Sequence, residues 1–172
     1  DTRSFRSPLK KDTAKPKVTI PNNDSYATVL GDEQWAWLER RLREPAEIRA
    51  VVSSISLIAT EHGSEKWANF PKERARFLEL LRSTKAKGVV VVSGDRHLAE
   101  ISSLTSTEEV PYPIYVLTTS GLNQPASHES APKQGIPGKP VANRHRIHEH
   151  PYIGSNFGLM RITWDGSNPT LR

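Results

Sequence analysis

No cysteine occurs in these 172 residues, so disulfides and thiolate metal sites are both excluded. No apolar run approaches the ~20 residues that a membrane-spanning helix requires. Aromatic residues make up only 7% of the chain, they are not interleaved with the basic ones, and no RNA-binding motif is present. The net charge of +5 therefore reads as a solvated surface, its excess spread over the N-terminal tail, the helical stretches and the region after residue 132. A specific nucleic-acid partner is not expected. Internal repeats are absent. The first residue is Asp1 rather than methionine, and the chain reads straight into Thr2-Arg3-Ser4-Phe5-Arg6. The expectation is a piece cut from a longer polypeptide.

What remains is a globular composition, 35% hydrophobic and 25% charged, long enough for one domain with a core. The 13 prolines point to long irregular connections. The most informative stretch is Val89-Val90-Val91-Val92-Ser93-Gly94-Asp95-Arg96-His97-Leu98-Ala99-Glu100. Four consecutive β-branched residues favour an extended strand buried on both faces. Gly94 permits a sharp turn or a close approach. Asp95, His97 and Glu100 follow, each able to hold a metal or a proton. In open α/β sheets, chemistry is commonly presented at the carboxyl end of a strand in this way.

Around this strand, residues 1–31 read as loop, with a short extended piece at Val18 to Ile20. A helix is expected after Gly31: Asp32 and Glu33 suit its N-terminus, Trp35, Leu38 and Leu42 recur at helical spacing, and Pro45 ends it. The tryptophans at 35 and 37 read as packing residues. Ile48 to Ile58 is a strand candidate, followed by an irregular link from Thr60 to Phe70. Pro71 opens a second helix, running to about Arg82 and burying Phe77, Leu78 and Leu81. Strand, helix, strand predicts neighbouring parallel strands. The chain then looks polar until Tyr112, Ile114 to Leu117 forms another strand, and Thr118-Thr119-Ser120-Gly121 repeats the pattern of apolar strand, hydroxyls and glycine. Residues 124–151 read as one long irregular loop, of a length that is usually functional or mobile. The last strand is placed at Phe157 to Trp164, with Asp165-Gly166 as a hairpin turn.

Asp-x-His at a strand end offers a carboxylate and an imidazole, a donor pair suited to hard or transition metals. Two metals about 3.5–4 Å apart can clamp a phosphate ester and supply a hydroxide nucleophile. Taken alone, the pair is too few ligands for such a site.

Several segments, in order, resemble alkaline-phosphatase-D-like (PhoD-like) metallophosphoesterases: Asp1-Thr2-Arg3-Ser4-Phe5-Arg6, Leu30 to Glu39, Val52-Ser53-Ser54-Ile55, Glu65 to Pro71, Ser93-Gly94-Asp95-Arg96-His97, Thr119-Ser120-Gly121-Leu122, Asn143-Arg144-His145-Arg146 and Asn156-Phe157-Gly158. Ser56 stands where that family has glutamine. The resemblance implies an α/β fold, the C-terminal half of a four-layer α/β/β/α sandwich, with a mixed sheet and flanking helices. Residues 1–172 would be the C-terminal part of a single domain, with 124–151 on the active-site side. It implies a metal-dependent hydrolase of phosphomonoesters and phosphodiesters, calcium and iron as the metal set, Asp95 on one metal and His97 on the other. The remaining ligands of the family lie upstream of its Asp-x-Arg element, so this chain is expected to be weak or inactive alone. The family is often exported, which implies a periplasmic, secreted or cell-surface location.

Arg144 and His145 either reach the substrate phosphate or line a solvated basic loop. Glu100 either supports a metal ligand or forms a salt bridge. His62, His148 and His150 read as surface histidines, Arg3 and Arg6 as structural. The competing function is a non-catalytic module that folds and binds phosphate or a protein partner. Because three strands read as buried on both faces, pairing with a missing N-terminal half or self-association is expected.

Overall fold

The computed structural model describes residues 1–105, 110, 112–126 and 143–172. In chain order its elements are β1 (Lys10–Lys11), β2 (Thr19–Ile20), α1 (Asp32–Arg43), β3 (Arg49–Ser53), a 3-10 turn (Trp67–Asn69), α2 (Pro71–Thr84), β4 (Val89–Ser93), β5 (Ala99–Leu104), β6 (Ile114–Thr119), β7 (Ile162–Asp165) and β8 (Asn168–Leu171). The valine run is central. β4 lies between β3 and β6 and is parallel to both, while β5 pairs antiparallel with β6, giving the order β3-β4-β6-β5. The fold is thus α/β with a mixed sheet, and α2 joins the parallel pair β3 and β4 as expected.

Register decides what the sheet presents. Ser53 pairs with Ser93 and Ser93 with Thr118, so three hydroxyls stand in a row at the carboxyl ends of the parallel strands. Ser93 and Thr118 share a hydrogen bond of 2.8 Å, and Trp67 Nε1 donates to Ser53 Oγ at 3.0 Å. The same face carries Val89, Val91, Ile114 and Val116, which pack with Trp35, Leu38, Leu42, Phe77, Leu78 and Leu81 from the two helices. Trp67 meets Trp35 and Phe77 edge to face, at centroid distances of 6.1 and 5.5 Å. Glu73, buried in the first turn of α2, accepts from Trp35 Nε1 at 2.9 Å and from Thr28 Oγ1 and Val29 N at 2.7 Å each, tying α2 to α1 and to the segment before it.

The opposite face is less covered. Val90 is buried there, but Val52 is 79% and Tyr115 is 44% exposed. The expectation of burial on both faces, made for Val89 to Val92, Ile114 to Leu117 and Phe157 to Ile162, therefore holds for β4 and not for β6, whose exposure alternates along the strand, nor for the last of the three, where Phe157, Leu159 and Ile162 are exposed. Other expectations also shift. The strand placed at 48–58 ends at Ser53; Ile55, Leu57 and Ile58 are buried core residues in irregular backbone. Its start is fixed by Gly88 at φ +64°, where a Cβ would stand 1.8 Å from the Glu47 carbonyl oxygen. The stretch after Glu100, read only as polar, begins inside strand β5, which runs Ala99–Leu104. The last strand begins at Ile162, not Phe157, and Phe157, Leu159, Ile162 and Trp164 are all exposed. The Asp165-Gly166 hairpin forms, with Gly166 at φ +58°. Trp37, expected to pack, is 47% exposed. Much of the loop expected at 124–151 lies outside the described residues. Its final part, 143–152, runs beside β5 through bridges Ala99–Tyr152 and Ser102–Arg146.

Candidate active site

The loop leaving β4 carries the candidate metal ligands, and its backbone is unusual. Asp95 and His97 both adopt left-handed φ, +69° and +56°, so of the sharp turn or close approach expected at Gly94 the turn falls on its neighbours. Gly94 instead provides room: a Cβ there would lie 3.4 Å from Ser120 Cβ, at the end of β6. Non-glycine residues in this region cost of order 1 kcal/mol or more each and are concentrated at functional sites. Ser120 Oγ accepts from the His97 amide at 2.9 Å, and the His97 carbonyl accepts from Ala126 N at 2.5 Å. The alternation turns Arg96 inward, to 2% exposure, between a half-buried His97 and an Asp95 side chain that is 34% exposed.

Asp95 is held by one oxygen. Arg3 Nη2 donates to its Oδ1 at 3.1 Å, and Arg3 Nη1 lies 3.1 Å from Glu65 Oε2. The other Glu65 oxygen meets Arg6 Nε at 2.9 Å. The first residues are in turn fastened down. Asp1 Oδ1 accepts from the amides of Arg3 and Ser4, the Asp1 amino group and carbonyl both bond the side chain of Gln34 on α1, and Thr2 Oγ1 bonds Ser54 Oγ. Arg3 and Arg6, read as structural, therefore converge on one carboxylate that the sequence reading did not single out.

Glu100 is an ion-pair partner. On β5 it accepts from Arg146 Nε at 2.7 Å and from Asn143 Nδ2 at 2.8 Å, and Asn143 also donates to Ser102 Oγ at 2.8 Å. Arg144 and His145 sit farther along. Arg144 Nε lies 3.1 Å from Glu61 Oε1, and the His145 carbonyl accepts from Ser103 N at 2.8 Å. Burial alone would push the Glu61 carboxyl up, but hydrogen bonds from Thr60 and Arg144 and the Arg144 charge hold it below the usual carboxylate range. His145 is lowered by burial and by Arg144. Among the described residues no hydrogen bond or ion pair joins Arg144 or His145 to Asp95 or His97.

His62 is the clearest departure from expectation. It is 3% exposed rather than on the surface, and among the described residues neither ring nitrogen has a partner in full hydrogen-bond geometry, the Ser64 backbone only opposing the downward shift. Burial first, then the nearby positive charges of Arg96 and Lys66, lower it to about 2. Lys66 is likewise buried and lowered to about 8, by burial and then by Arg96. His148 and His150 are exposed, as expected.

The two small motifs that close the site are joined. Asn156 Oδ1 accepts from Thr119 Oγ1 at 3.0 Å and from Gly121 N at 3.2 Å, and its Nδ2 donates to the Gly154 carbonyl at 2.8 Å. A Cβ at Gly121 would stand 2.1 Å from Asn156 Nδ2, so glycine is required for this contact. Among the described residues no three His, Cys, Asp or Glu side chains come together as a metal cage. The donor set present is one free carboxylate oxygen and an imidazole. That chemistry fits a hard or borderline cation, and the number of donors fits part of its shell.

The sequence profile of the family described as PhoD-like phosphatase matches residues 1–170. Alkaline phosphatase D of Bacillus subtilis (strain 168) is 25% identical over 113 residues, covering 60% of this chain and 19% of that protein. A solved structure described as "Structure of PhoD" superposes with a TM-score of 0.62 at 22% identity, over 90% of this chain and 32% of that one, a likeness of fold. The chain spans well under two thirds of the length of either relative.

Proposed function

We propose, since this chain belongs to the PhoD-like phosphatase family, that it carries part of the active site of a metal-dependent phosphoric ester hydrolase. The observation that carries the reading is the β4 loop: Asp95 and His97, both in left-handed backbone, flank an inward Arg96 at the carboxyl end of the central strand. Asp95 Oδ2 and the His97 ring would each hold one cation, calcium and iron being the set that the resemblance implies. Bound there, the cations would activate water as a nucleophile and draw charge from a phosphate ester. The chain's own residues orient the donors: Arg3 fixes one Asp95 oxygen, and Ser120 fixes the His97 backbone.

Two donors do not complete a site that needs four or more ligands per metal. The remaining ligands would come from other sequence of a longer protein, whose strands would cover the face bearing Val52 and Tyr115 and so complete a four-layer sandwich. The chain alone is therefore expected to hydrolyse slowly if at all. Elemental analysis after dialysis against calcium and ferric iron, beside an assay with a chromogenic phosphodiester, tests the reading. Asp95→Ala and His97→Ala are each expected to lower metal content. Metal content unchanged by both substitutions, or fast turnover that survives His97→Ala, overturns the assignment.

A further inference from the structure

We propose that Arg3, anchored by Glu65, is a positioning residue for Asp95: it holds one carboxylate oxygen and leaves the other presented for a cation. The inference rests on the reading of Asp95 as a metal ligand, and it assigns a role to two residues that the reaction itself does not touch.

The geometry distinguishes a positioning arginine from one that merely stands in for a missing cation. A stand-in would be free to swing away when the cation arrives. Arg3 is not free. Its side chain is 49% exposed, but its Nη1 is ion-paired at 3.1 Å with Glu65, a carboxylate whose side chain is only 10% exposed and whose second oxygen lies 2.9 Å from Arg6 Nε without hydrogen-bond geometry. The backbone that carries Arg3 is fastened on its N-terminal side, by the Asp1 carboxylate that accepts from the Arg3 amide and by the Thr2–Ser54 and Asp1–Gln34 contacts. A guanidinium held at one end reaches Asp95 Oδ1 with the other, at 3.1 Å. Oδ2 has no protein partner among the described residues. Fixing a flexible carboxylate in this way lowers the ordering that a cation must impose on arrival, and partners of metal-binding side chains are commonly worth 10- to 100-fold in affinity.

The two possibilities differ in sign. Removing a positive charge beside a ligand should tighten cation binding if the charge were only a competitor. It should weaken binding if the charge positions the ligand. Calorimetric titration of the whole chain with manganese(II) alone, beside Arg3→Ala, Arg3→Lys, Glu65→Gln and Asp95→Asn, reads the difference. Arg3→Ala and Glu65→Gln are expected to weaken uptake roughly tenfold, with Arg3→Lys between them and the unaltered chain. Unchanged or tighter uptake by Arg3→Ala overturns the proposal. A second measurement needs no metal. Nitrogen-15 NMR of the Arg3 guanidinium should show resolved Nη signals from slow rotation, collapsing to an average in Glu65→Gln and in Asp95→Asn. Averaged signals in the unaltered chain also overturn it. If manganese uptake is the same in Asp95→Asn as in the unaltered chain, the ligand reading fails, while slow guanidinium rotation in the unaltered chain that collapses in Asp95→Asn still supports the positioning. Thermal unfolding of each variant identifies any that fail to fold, and Arg3→Lys, which keeps the charge, carries the test in that case.

Discussion

His62 shows how much a single buried ring can set the response to acid. In the folded chain it titrates at about 2, against 6.5 for the unburied side chain. The unfolded chain therefore takes up a proton below about pH 6.5 that the folded chain refuses until about pH 2. Stability is undiminished well above 6.5 and falls as pH drops through that window, with a slope that steepens toward about 1.4 kcal/mol per pH unit below about pH 5. Urea unfolding at pH 7, 6 and 5 should show this slope. His62→Leu should flatten it. An unaltered slope in His62→Leu would place the acid sensitivity elsewhere. Nothing in the sequence marks this residue, because a histidine between Glu61 and Gly63 has the same local signature whether it is buried or exposed.

The elements that read well from sequence are those whose instructions are local. Asp32 and Glu33 at one end of α1 with Pro45 beyond the other, Pro71 at the first turn of α2, and the valines of β4 each specify their element within a few residues. β5 could not be read this way. Its inward positions include Glu100 and Ser102, which look like solvent-facing residues until Asn143 and Arg146 arrive from some forty positions later. Asp95 and His97 were legible as a motif. Glu65 and Arg3 were not, because their meaning lies in a contact between segments far apart in the chain. The Glu100–Arg146 pair makes a prediction at this scale. Both side chains are at most 6% exposed. Arg146→Ala would leave a buried carboxylate short of its counter-charge and should cost about 3–5 kcal/mol, read as a lowered urea midpoint. A loss below about 1 kcal/mol would mean that water reaches Glu100 in solution.

Across the whole molecule, apolar surface is left on one side of the sheet and on the terminal hairpin. Val52 and Tyr115 lie on the sheet, while Phe157, Leu159 and Trp164 lie on and before the hairpin. Beside β3, a groove of about 340 Å³ is lined by Leu30, Trp37, Leu38, Leu42, Val51 and Val52 among others. Patches of this kind commonly mark a surface that another chain covers. Light scattering on the purified chain should give a mass above 19.2 kDa. Val52→Lys, which places a charge on the open edge, should shift it toward that value. A single species of 19.2 kDa before any substitution would show that this surface tolerates water.

The bridges from Tyr152 and Arg146 onto β5 also limit how such association can proceed. A sheet with two bare edges can recruit a neighbour at each and grow without end into a fibre. Here one edge of the four-stranded sheet is already occupied by the chain's own 143–152 segment, and among the described residues β3 is the unpaired edge. Two copies joined edge to edge at β3 across a twofold axis would leave this four-stranded sheet no unpaired edge among the described residues from which to extend. By this route, self-association halts at the pair.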